Sequence, residues 1–234
     1  MKRVTKKLLA VVAAMAVLCM TLTGCGGSKL DPADQTIGAL FELAAKDNTT
    51  PMKNLLGFES DDAVRSAFFE EGYDMGWADQ LKDALVSAGV EMSDADIQDL
   101  TDSLTAMMNK VTYTAEITSE EKDKTVVTLK VNGYSMSEMN DVMMDAANAM
   151  SESLTEEDQL AIMEGDTELL SSYMQQYLKD FLAGLGTLET SAEPSEITVN
   201  CEKLAVEVNG KPTVAWLPSD MTKFANDVQN AIFK

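Results

Sequence analysis

The chain has 234 residues, of which 39 are Asp or Glu, 18 are Lys or Arg and none is His, for a net charge of −21. So acidic a chain is repelled by nucleic-acid phosphates and anionic headgroups, and the lack of imidazole removes Ser-His-Asp and Cys-His catalysis, His-ligated zinc and the usual proton shuttle near neutral pH. An apolar fraction of 45% argues against wholesale disorder, and the length suffices to bury a proper core.

Four of the basic residues, Lys2, Arg3, Lys6 and Lys7, precede an unbroken apolar run of 13 residues, Leu8 to Met20. As a helix that run spans roughly 20 Å, short of the ~30 Å hydrocarbon core of a bilayer, so its form is that of a secretory signal peptide rather than a permanent span. Leu22-Thr23-Gly24-Cys25 follows directly and resembles the lipobox of bacterial lipoproteins. That resemblance implies cleavage between Gly24 and Cys25 and a diacylglyceryl group on the Cys25 thiol, a two-chain anchor where one chain would be marginal. Residues 1–24 are then a discarded signal, and 25–30 hold the lipidated cysteine and a flexible tether built on Gly26-Gly27-Ser28-Lys29. Residues 31–234 are expected to form a single α+β domain. Without the signal, 14 basic residues stand against 39 acidic ones, a net of −25. Cys19 leaves with the signal and Cys25 takes lipid, so Cys201 remains alone, on the apolar phase of an alternating strand with Ile197 and Val199. A buried thiol is the expectation there, with a reactive or intermolecular thiol as the alternative. Export without disulfides, with Gly after the lipidated Cys, resembles the lipoproteins of Gram-positive bacteria.

The elements follow in chain order. Asp31-Pro32 predicts a helix start, with Ile37, Leu40, Phe41 and Ala44 on one face to about residue 46. Thr50-Pro51 opens a short helix that Gly57 ends, and Ser60-Asp61-Asp62 caps another, with Val64, Ala67 and Phe68, then Trp77, Leu81 and Leu85, inward around a break at 72–76. Ser93 opens an amphipathic helix with Ile97, Leu100, Leu104, Met107 and Met108 on one face. The period then changes to 2 in Val111, Tyr113, Ala115 and Ile117 and again in Val127, Leu129 and Val131, a hairpin linked by Thr118 to Lys124. A second round repeats the order. Ser135 to Glu138 matches a capping box for a helix to about 154, Thr155 to Asp158 caps a shorter helix ending near Gly165, and Asp166 caps a third ending at Gly184 to Gly186. A loop with Pro194 leads to strands on either side of Asn209-Gly210, the favoured pair for a tight hairpin, with Pro212 placing the start of the return strand at an edge or at the turn. Pro218-Ser219 introduces a last helix with Phe224, Val228 and Ile232 inward. Two helices-then-hairpin halves, about 31–134 and 135–234, are therefore expected, with the hairpins joined in one antiparallel sheet.

Three groups of residues bear on chemistry. Met136, Met139, Met143, Met144 and Met150 fall on one predicted helix; core packing is the expectation, with a partner-binding groove or a Cu(I) site as alternatives, the last without His or Cys nearby. Asp94, Asp96, Asp99 and Asp102 crowd one helix start and Glu156, Glu157 and Asp158 another, as the helix dipole favours, and no EF-hand loop is present. Trp77, Tyr113 and Trp216 suit a core or a pocket wall. No phosphate loop, G-x-S-x-G elbow or C-x-x-C pair occurs.

With Lys110 to Val131, Asn209 to Leu217 and the helix after Ser219 in this order, the chain resembles the small Gram-positive lipoproteins of the DUF5105 type, a domain of unknown function. The resemblance implies a curved antiparallel sheet wrapped by helices, cystatin-like or NTF2-like in style, and brings no catalytic residues. The expectation is a non-enzymatic, membrane-anchored binding or envelope-associated module at the outer face of the cytoplasmic membrane, with no cofactor, no metal and a protein or peptide partner. The alternative is a carboxylate-based hydrolase or isomerase in a concave sheet pocket. A third reading, an electrostatic partner for a basic surface protein, predicts binding that collapses in salt.

Overall fold

The computed structural model describes residues 30–69 and 93–234. In chain order the elements are α1 (Ala33–Lys46), α2 (Thr50–Leu56), α3 (Asp61–Phe68), α4 (Asp94–Lys110), β1 (Thr112–Glu120), β2 (Lys124–Asn132), α5 (Met136–Ser153), α6 (Glu156–Met163), α7 (Thr167–Thr187), β3 (Ser195–Val208), β4 (Lys211–Pro218) and α8 (Met221–Ile232). One antiparallel sheet in the order β1-β2-β3-β4 joins both hairpins, so the chain is α+β as expected. The described residues fall into two compact units that alternate along the chain: 30–69, 111–133 and 192–234 in one, 93–110 and 134–191 in the other.

The first unit is the sheet with α1, α2, α3 and α8. Helix α1 packs on β1, β2 and β4 and buries Ile37, Leu40, Phe41 and Leu43, while α8 packs on β2, β3 and β4 through Phe224, Val228 and Ile232. Strand β2 alternates as its sequence predicts, with Val127, Leu129 and Val131 fully buried and facing Val199, Ile197 and Ser195 of β3. Strand β3 is one continuous strand of 14 residues, and its buried positions change phase, from Ile197, Val199 and Cys201 to Val206 and Val208. Its first half pairs with β2 and its second half with β4, and Val206 and Val208 lie in register with Thr213 and Lys211. Opposite faces of the strand are thus covered at its two ends. Asn209 and Gly210 both take positive φ at the β3–β4 turn, which a tight hairpin requires. Pro212 lies on β4 at the sheet edge, where its missing N–H costs no ladder bond.

The second unit is helical. Helix α7 packs on α4, α5 and α6 and buries Leu178, Leu182 and Leu185. It runs through Gly184 and Gly186 to Thr187, so the expected stop at those glycines is corrected. Neither takes a positive φ, and a Cβ on Gly184 would lie 2.5 Å from Val142 Cγ1, so this glycine serves close helix packing. Lys110 closes the end of α7 by donating to the carbonyls of Gly186 and Leu188, a cation at the negative end of a helix.

Other boundaries shift by small amounts. Pro32, not Asp31, takes the N-cap position of α1, and the last helix is capped by Asp220 rather than Ser219, Asp220 Oδ1 accepting from the Lys223 amide at 2.8 Å. Helix α3 ends at Phe68 with Phe69 extended; Trp77, Leu81 and Leu85 lie outside the described residues. The first hairpin turns at 121–123, so most of the expected polar link is strand, and beyond an irregularity between Ile117 and Ser119 the strand tip leaves Ile117 38% exposed.

Candidate functional site

The lipobox residues Leu22, Thr23, Gly24 and Cys25 lie outside the described residues. Cys201 is buried, at 1% exposure, and is free. Burial pushes its thiol up to about 12 from the ordinary value of 9.0, which favours the protonated thiol near neutral pH. Tyr113 donates to the Gly38 carbonyl and packs its ring 4.5 Å from that of Phe41; Trp216 is buried, with Lys203 Nζ 5.0 Å above its ring. Both aromatics are therefore parts of the packing of the sheet unit.

The acidic start of α4 lines a cleft of about 300 Å³ against α7, formed by Asp96, Asp99 and Asp102 on one side and Gln175, Leu178 and Lys179 on the other. Two of these carboxylates are already engaged. Asp96 accepts from the amide and hydroxyl of Ser93, which hold it below the usual carboxylate value, and Asp102 accepts from Gln98. Asp96 thus serves as the reciprocal partner in a cap. No cluster of three metal-ligating side chains occurs among the described residues.

A second concavity lies in the sheet unit. Pairing of β3 with β4 ends at Cys201 and Pro218, and Ser219 then donates its amide to the Asn200 carbonyl at 2.8 Å. Beyond that point α8 takes the place that β4 would have occupied beside Ser195 to Thr198, and Lys223, Asp227 and Asn230 line a groove of about 340 Å³ against that edge. Its carboxylates carry their own cations: Asp227 pairs with Lys223, and Glu196 with Lys130 at 3.5 Å. They do not form the free converging pair that the hydrolase alternative requires.

Comparison with known protein families finds no match, so the DUF5105-type resemblance has no family match behind it, and comparison with curated proteins finds none either. A solved structure that resembles this chain is that of YcdA from Bacillus subtilis, described as a lipoprotein, at 15% identity and a TM-score of 0.49. The match covers 86% of this chain and 56% of that one, so this chain spans a little over half the length of its neighbour.

The methionine helix departs most from expectation. In α5 only Ala146 is buried; Met136, Met143 and Met144 are 43%, 42% and 55% exposed, and the core reading is corrected for them. The reason is the width of the contact. Helix α5 meets α7 with Ala146 buried and Val142 against Gly184; Met139 and Met150 are half-buried, and Met136, Met143 and Met144 are left uncovered. Helix α6, with no buried residue, and the start of α7 add Leu160, Met163 and Leu170 to the exposed apolar side chains. No period in the sequence marks Leu160 and Met163, because α6 has no apolar face for a pattern to reveal; Leu170 falls on the expected apolar face of the helix that Asp166 caps, and that expectation is corrected, since it is 44% exposed. Tyr134 was missed too. Its hydroxyl donates to the Met107 carbonyl at 2.6 Å in a buried position, and burial pushes its pKa up to about 12.

Proposed function

We propose that this chain is a membrane-anchored extracytoplasmic lipoprotein, held by acyl chains on Cys25 at the outer face of the cytoplasmic membrane of a Gram-positive bacterium, and that its body is a binding module rather than an enzyme. The observation that carries the reading is the position of Leu22-Thr23-Gly24-Cys25 immediately after a basic segment and a 13-residue apolar run. No helix among the described residues is long and apolar enough to cross a membrane. Helix α1 begins at Ala33, eight residues past Cys25, so the chain tethers the body within at most ~28 Å of the acylated thiol. The body's charge opposes close contact with anionic lipid, leaving the acyl chains to supply retention at ~0.8 kcal/mol per buried CH₂.

Cys25→Ser tests the anchor. In cells fed a labelled fatty acid, the parent chain should carry label and sediment with membranes, and the variant should carry none and retain its signal segment. Equal labelling of the two would overturn the assignment.

A further inference from the structure

From Val131 to Leu178 the chain contains ten Asp and Glu residues and not one Lys or Arg. Nine of the ten are exposed, the exception being Asp158, which is engaged by Thr155 and Tyr173. None of the ten forms an ion pair among the described residues. The same helices carry the exposed apolar side chains Met136, Met143, Met144, Leu160, Met163 and Leu170. A surface that is only acidic is a solvated face, and a few exposed apolar residues alone are ordinary. Their coincidence on α5, α6 and the start of α7 is a different matter, because it matches both features of one kind of ligand.

We propose that the α5–α6–α7 surface of the helical unit binds a basic amphipathic helix of a partner protein, its apolar stripe on the Met and Leu side chains and its Lys and Arg residues against the surrounding carboxylates. This deepens the binding-module reading and rests on it for its setting, since a lipid-held body would meet such segments at the membrane face. Charge complementarity selects the occupant: a stretch of net −10 repels an anionic bilayer and a second copy of itself, and attracts a cationic segment. Unbranched methionines adapt to differently shaped apolar stripes, which fits recognition of a helix face rather than one fixed sequence. Helix α6 is tied to its neighbours by the Tyr173 hydroxyl, which donates to Asp158 at 2.9 Å and lies 3.2 Å from the Ser153 carbonyl. The three segments are thereby held together before any partner arrives.

The test uses the full lipidated chain in zwitterionic nanodiscs, with empty nanodiscs as the blank. The probe is a fluorescent peptide of Leu and Lys, with Leu at helical spacing i, i+3, i+4 and i+7; a scrambled peptide of the same composition is the control. Anisotropy should show the patterned peptide binding about tenfold tighter than the scrambled one, and weakening as salt rises from about 50 mM to about 500 mM. Met143→Ser, Met144→Ser and Met163→Ser combined should weaken it by about tenfold, and Glu156→Gln with Glu157→Gln should flatten the salt dependence. These side chains are exposed, so circular dichroism should match the parent. The proposal is overturned by equal binding of the two peptides, by full affinity in the methionine variant, or by loss of the apolar surface to the bilayer or to self-association that the same variant abolishes. None of these outcomes touches the anchor, which the Cys25 labelling tests separately.

Discussion

Cys201 shows how one side chain acquires its properties from its surroundings. As a strand residue opposite Thr125 and Pro218 it is shut away from water, and its thiolate is correspondingly costly. The native protein should therefore resist a thiol reagent at pH 8 and react promptly once unfolded in guanidinium; rapid native labelling would contradict the burial. Because its folded pKa is raised, its contribution to stability is whole below the unfolded value near 9 and is lost as pH rises toward about 12. Cys201→Ala should remove that alkaline component from the stability curve. Gly133 is constrained by space alone. A Cβ there would lie 2.4 Å from the carbonyl oxygens of Ala231 and Ile232, so Gly133→Ala should destabilise by about 3 kcal/mol in chemical denaturation. Asn209 adds a third case, since its left-handed turn position also presents an amide side chain that accepts from the Glu59 amide and donates to the Gly57 carbonyl.

At the scale of the element, the helix starts were legible because capping is local chemistry. Ser60, Ser135, Thr155 and Asp166 each accept a backbone amide three residues on, as their sequences predict. Thr155 and Asp158 form a complete reciprocal box, so Thr155→Ala should cost about 1 kcal/mol, seen as a lower midpoint in urea. The caps also set the response to acid. Bonds from Lys53 and Thr49 hold Asp61 below the usual carboxylate value, and bonds from Ser93 and from Thr155 with Tyr173 do the same for Asp96 and Asp158. A depressed carboxylate stabilises fully above its unfolded value of 3.8 and loses that contribution as pH falls through the folded value. Helix content by circular dichroism should hold from pH 7 to about 4 and decline below it, and Asp158→Asn should flatten part of the decline. A fall beginning well above pH 5 would mean that other groups govern it. What local chemistry did not reveal was coverage. The methionine spacing on α5 predicts a buried stripe, yet Ala146 is the buried residue of that helix, Val142 packs on Gly184, and Met136, Met143 and Met144 stay exposed.

On the scale of the whole molecule, charge is the dominant quantity. Residues 25–234 carry a net charge of −25 and repel one another, so the folded state should gain stability as salt rises from low ionic strength, measured as an increase in the thermal midpoint between about 10 mM and about 150 mM NaCl. A midpoint that is flat or falls over that range would show that the few cations, such as Lys53 with Asp61 at 2.7 Å and Arg65 with Asp47 at 2.8 Å, offset the repulsion locally. The same imbalance is distributed unevenly. The cations that pair do so mainly in the sheet unit, whereas the helical stretch from Val131 to Leu178 has none, which is why the binding proposal falls there.

Periodicity, caps and turn residues, all of which act within a few positions along the chain, determined by themselves the order of the elements, most of their boundaries and the antiparallel pairing of both hairpins. The basic segment, the apolar run and Leu22-Thr23-Gly24-Cys25, from which the anchor is proposed, are likewise local patterns. Only the tertiary structure decided which apolar residues are covered, because coverage depends on the width of a partner element that lies far away in sequence. It placed α8 beside the bare half of β3, changed the buried phase of that strand between Cys201 and Val206, and left Met136, Met143 and Met144 of α5 exposed. Those uncovered side chains, on helices whose carboxylates lack cationic partners among the described residues, form the surface proposed to bind a partner.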